Sequence, residues 1–112
     1  MLAAEKGAAL FRAVAAGSPA LWTEPGLTAP GAFDGPADFY ANDVFTFVEA
    51  LRDVRVRLDC GDEGAFYEAT RQLWAEIAWP HVAEFRPGAA HTMGFWRSVA
   101  PAQMRFLWAA VR

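Results

Sequence analysis

At 112 residues the chain is one domain at most, and a composition that is 54% hydrophobic and 14% aromatic builds a packed core, which excludes a disordered or low-complexity chain. A net charge of −3 with no basic stripe argues against a nucleic-acid partner, and no apolar run reaches membrane length, so no membrane partner is expected either. The single cysteine, Cys60, has no internal disulfide partner and no Cys or His at zinc spacing.

Leu2 to Leu10 reads as a helix of good formers with no N-cap before it, an expected sign that the domain is truncated. Glu5 and Arg12 interrupt the Ala-rich start, which leaves no signal-peptide core and makes a reduced, cytoplasmic setting the default. Phe11 to Ala16 is a short apolar run stopped by Gly17-Ser18-Pro19, as in a buried strand of a parallel sheet. Thr23 to Pro36 is punctuated by Pro25, Pro30 and Pro36 and reads as a loop.

Ala37 to Leu51 is predicted to be one helix with Phe39, Val44, Phe47, Val48 and Leu51 on its apolar face. Val54 to Cys60 alternates strictly, with Val54, Val56, Leu58 and Cys60 on one side and Arg55, Arg57 and Asp59 on the other, and is a strand. Gly61 to Gly64 is an acidic loop, and Ala65 to Ala78 a helix ended by Pro80. His81 to Phe85 is a short strand, Arg86 to Met93 a loop holding His91, and Gly94 to Val111 a last helix with a kink expected at Pro101.

Strands alternating with helices of this length predict an α/β fold with right-handed crossovers and a parallel sheet. Ligands of such sheets gather beyond the carboxyl ends of the strands. The segments expected there are Gly17-Ser18-Pro19, Gly61-Asp62-Glu63-Gly64 and Gly88 to His91. An acid after one strand and a histidine after the next follow the order serine, acid, histidine of the hydrolase triad, in which the acid fixes the imidazole tautomer and stabilises its charged form. Asp62 or Glu63 with His91 is the candidate pair. Read as a structural residue instead, His91 is a plain loop histidine, and Asp62 and Glu63 are solvated acids ahead of a helix. Ser18 lacks the strained elbow of a nucleophile, and Cys60 is expected to be inert.

Val56 to Gly61, then Phe66-Tyr67 and Ala69-Thr70-Arg71, resembles the acid-bearing strand and loop of an esterase family of the α/β-hydrolase superfamily, which includes S-formylglutathione hydrolases and mycolyltransferases. His91 with Phe95-Trp96-Arg97, Pro101-Ala102-Gln103 and Arg105-Phe106-Leu107 is similar to that family's histidine loop and last helix. Leu2 to Lys6, Leu10 to Ala15 and Ser18 to Trp22 look like the segment after its nucleophile elbow. The resemblance implies residues 1–112 as the C-terminal part of an α/β-hydrolase fold, and a small-molecule ester or thioester as substrate. It implies His91 as general base, Asp62 or Glu63 as the acid, Trp22 as a wall near the acyl pocket, and no cofactor or metal. Two departures stand out. The family's Gly-x-Ser-x-Gly elbow is missing, and in the acid loop Gly61-Asp62-Glu63-Gly64-Ala65-Phe66 the family's acid position holds Gly64. The chain alone is thus expected to be inactive. The alternative is a non-catalytic assembly module, a homo-oligomer joined through an open sheet edge.

Overall fold

The computed structural model describes residues 2–112. Three strands, β1 (Ala13–Gly17), β2 (Arg55–Gly61) and β3 (Val82–Arg86), form a wholly parallel sheet in the order β1-β2-β3. Ala13 pairs with Arg55 and Arg57 with Val82, so the strands sit within a residue or two of their predicted bounds. Among the described residues four α-helices accompany them: α1 (Leu2–Lys6) before β1, α2 (Pro36–Asn42) between β1 and β2, α3 (Tyr67–Glu76) between β2 and β3, and α4 (Met93–Val111) after β3. The chain is an α/β domain with strands and helices alternating, as the hydrophobic patterning predicted.

Two elements differ from expectation for local reasons. The first helix stops at Lys6 because Gly7 takes φ +56°, where a side chain would also come within 3.0 Å of the Ala50 carbonyl. The helix predicted over Ala37–Leu51 ends at Asn42. There the Asp43 carboxylate accepts from the backbone N–H of Phe45 at 3.2 Å and of Thr46 at 3.1 Å, so a side-chain turn replaces the helical ladder until a single 3₁₀ turn at Val48–Leu51. The last helix runs through Pro101 as one element; Pro101 is exposed, so the carbonyl left without its donor can face water.

β2 is the centre of the molecule, because a middle strand of a parallel sheet is covered on both faces. Val56 and Leu58 join Ala3, Ala4, Leu51, Leu73 and Ile77 in one apolar cluster beneath α1 and α3. The opposite face of β2 carries Arg57 and Asp59, and α4 lies over it. Asp59 is fully buried. Its carboxylate accepts from Arg57 Nε at 2.9 Å, Arg57 Nη2 at 2.6 Å and Gln103 Nε2 of α4 at 2.9 Å. Arg57 also reaches Glu84 of β3 at 3.0 Å.

Glu84 in turn accepts from Arg86 at 3.1 Å, and this hydrogen bond, with Arg57 behind it, holds its carboxyl below the usual glutamate range against the opposing effect of desolvation. A depressed folded-state pKa contributes stability above the unfolded value of about 4.3 and loses it as pH falls through the folded one. Wild type is therefore expected to lose more stability than Glu84→Gln on acidification below about pH 4.3. Urea melts of both proteins at pH 6 and pH 3.5 would read the difference, and equal losses would dismiss it.

Candidate functional site

The carboxyl ends of β2 and β3 lead into two loops that are fastened together. Asp62 N–H donates to the Arg86 carbonyl at 3.2 Å and Glu63 N–H to the Ala89 carbonyl at 3.0 Å. The Asp62 carboxylate accepts from Gly88 N–H at 2.8 Å. The contact is close because residue 61 has no side chain: a Cβ there would lie 2.0 Å from the Ala89 oxygen. Thr92 then caps α4, its hydroxyl accepting from Phe95 N–H at 3.2 Å.

These fastenings hold His91 on the loop before α4. Its exposed ring stands edge-on between Phe66, at 5.4 Å, and Trp96, at 4.9 Å. Among the described residues no hydrogen bond ties its ring. Asp62 spends one carboxylate oxygen on Gly88, and both Asp62 and Glu63 are exposed without a side-chain bond to His91. Histidine and acids thus share one loop pair without direct contact.

The position facing the histidine is Gly64. A Cβ built on it lies 3.8 Å from His91 N and 4.0 Å from His91 Cβ, with 3.4 Å to the Gly61 oxygen, an ordinary contact. A side chain added at residue 64 therefore starts within 4.0 Å of His91 Cβ without displacing backbone. Gly64→Asp is expected to keep the fold and to produce a downfield imidazole N–H resonance in the proton spectrum that the parent lacks. An unchanged spectrum from a folded variant would show that residue 64 does not address the ring.

Trp22 lies beyond β1 and packs edge-on against Phe66 at 5.4 Å and Phe33 at 6.1 Å. Trp22, Phe66, His91 and Trp96 are thus a continuous run of rings. On the Trp22 side of this run opens a groove of about 850 Å³ between α3 and the loop after β1.

Ser18 takes φ +45° and is 4% exposed, and its hydroxyl has no hydrogen-bond partner among the described residues. Its backbone N–H is held by the Asp59 carbonyl at 2.7 Å. A buried hydroxyl with no base bonded to it lacks the activation a nucleophile needs. The Asp59–Gln103 bond is the feature that local patterning missed. An Arg and an Asp two apart, on the non-apolar side of a strand covered on both faces, is the signal for it. His81 Nδ1–H donates to the Trp79 carbonyl at 2.8 Å at the opposite end of the sheet, a structural role. Cys60 is buried. No helix among the described residues is long and apolar enough to cross a membrane. Compared with known proteins, the chain matches no family model and no curated protein.

Proposed function

We propose that this chain is the C-terminal part of an esterase-type α/β-hydrolase, working in a reduced, cytoplasmic setting on a carboxylic ester or thioester. The observation that carries the reading is His91, held exposed between Phe66 and Trp96 beyond the last strand of a parallel sheet, with the side-chain position of residue 64 facing it. In this reading His91 takes the proton of a serine supplied by sequence outside the chain, then returns it to the leaving group. An acid from Asp62 or Glu63 orients the ring after a local shift of the loop. The serine and the oxyanion hole come from outside these residues, and no metal or cofactor takes part.

The chain alone is expected to show no turnover of aryl esters, because no acyl-enzyme can form without the nucleophile. The decisive experiment begins by translating the reading frame upstream of the Met1 codon. A Gly-x-Ser-x-Gly there, with ester hydrolysis by the longer product that His91→Ala lowers by a factor of about 10³ or more, supports the proposal. Hydrolysis by the isolated chain that survives His91→Ala, or a longer product indifferent to that substitution, rejects it.

One observation favours the second reading, an assembly module. Met104, Trp108 and Val111 are 65%, 64% and 66% exposed on α4, and one edge of β1 is unpaired. Size-exclusion chromatography separates the two: a stable oligomer favours assembly, and a clean monomer counts against it.

A further inference from the structure

The groove beside Trp22 has a composition that specifies more than its place. Its walls are Leu21, Trp22 and Leu27 from the loop after β1, and Phe66 and Trp74 from the α3 side. Leu27 and Trp74 are 58% and 42% exposed, so the groove presents apolar surface that nothing in the fold covers. Its volume of about 850 Å³ is that of a small-molecule site rather than of a packing defect.

The rim decides the charge of the occupant. Glu68 and Arg71 both line the groove, one turn apart on α3. The Arg71 guanidinium lies 5.7 Å from the Tyr67 ring centroid, where the ring face supplies part of its electrostatic need. One acid and one base cancel, so the groove offers no net field to an ion. A charged ligand would lose its hydration on apolar walls without a matched partner. The ring geometry decides its shape. Phe66 meets Trp22 edge-on at 5.4 Å, and Trp74 stands at the other end of the α3 wall, so a flat ring entering between them has aromatic neighbours at both ends.

We propose that this groove binds an uncharged aromatic group. As a statement about substrate it rests on the esterase reading: Phe66, shared by the groove and the surround of His91, places the aromatic part of an ester beside the imidazole. As a statement about binding it rests on the groove alone.

The test uses the whole chain and three probes: naphthol as the neutral aromatic, naphthoate as its anion, and decanol as an aliphatic alcohol. Calorimetric titration is expected to show saturable naphthol binding at least tenfold tighter than naphthoate or decanol. Trp22→Leu, which keeps apolar bulk, is expected to weaken naphthol about tenfold. Leu27→Asp, which puts a charge on an exposed wall without touching the core, is expected to abolish its binding. Arg97→Gln, on the exposed side of α4 and outside the groove lining, is expected to change naphthol affinity less than twofold. Circular dichroism confirms that each variant is folded.

Absence of saturable naphthol binding overturns the proposal, as does binding indifferent to both Trp22→Leu and Leu27→Asp. Tighter naphthoate binding that is lost in Arg71→Gln would make the groove an anion site and overturn it too. The two proposals fail separately. Naphthol binding needs no serine, so binding without ester hydrolysis by the longer product rejects only the esterase reading. Hydrolysis by that product without naphthol binding rejects only the aromatic groove.

Discussion

Asp59→Ala is expected to cost about 3–5 kcal/mol, the range for breaking a buried ion pair by removing one partner. The carboxylate is fully buried and satisfies Arg57 twice and Gln103 once. Its loss strands a guanidinium whose side chain is only 10% exposed, and Glu84, on the exposed rim, can match it only in part. It also strands the Gln103 amide, the polar link between α4 and the sheet. Against a typical domain stability of about 5–15 kcal/mol such a loss is a large fraction. In thermal melts it should lower the midpoint by roughly 10–20 °C.

The double replacement Arg57→Met with Asp59→Leu gives the contrast. It removes both charges and keeps the volume, so it should cost much less than Asp59→Ala alone, since a buried pair is near neutral against apolar groups of similar size. A loss under about 1 kcal/mol for Asp59→Ala would mean that water reaches the pair and that α4 is not held through it.

The second large effect belongs to Gly61→Ala. An added Cβ would stand 2.0 Å from the Ala89 oxygen, 2.5 Å from its carbonyl carbon and 2.8 Å from its Cβ. The first two are backbone, so no rotamer relieves the clash and the loop after β3 must move. The penalty is expected at or above the top of the about 1–3 kcal/mol range for overpacking. Moving Ala89 also breaks the bond from Glu63 N–H and pulls on Asp62 through Gly88. His91 is two residues further on, so amide shifts in Gly61→Ala should concentrate in residues 86–92 and in Trp96. On the proposed esterase reading, the same change in a longer, active product should lower kcat more than it raises KM, because it would displace His91, the proposed base, and leave the groove beside Trp22 in place. Wild-type stability in chemical denaturation, with no shifts in that loop, would dispose of this account.

The two variants divide what could be read from the sequence from what could not. The alternation from Val54 to Cys60 fixes strand β2 because the period of two is a local property of one face buried under α1 and α3. The parallel order follows from helices between strands, again near-neighbour information. The helix over Ala37–Leu51 was over-extended because the apolar spacing continues past Asp43, while the carboxylate that interrupts it competes through hydrogen bonds that hydrophobic spacing does not register.

At the site, the position of His91 beyond a strand end was legible, since it follows an apolar run ended by turn residues. The separation of Asp62 from His91 was not, because it depends on Gly88 taking the Asp62 oxygen. Nor was the link from Gln103 to Asp59, which joins residues that only the finished packing of α4 brings together.

The unequal covering of the strands has a kinetic consequence. From Val56 onward β2 is buried, whereas every residue of β1 is only half-buried. The chain between paired residues is also shorter for Arg57 and Val82 than for Ala13 and Arg55, although loop entropy separates the two closures by only about 0.5 kcal/mol. Burial does not favour β3 over β1, since β3 is no better covered, and loop length separates the two edge strands only slightly. The middle strand β2 should therefore hold longest, with the edge strand β1 joining late and leaving early. Amide protons of Ala15 and Ala16 should then exchange with solvent through a partial opening, while those of Leu58 and Cys60 wait for the whole molecule to unfold.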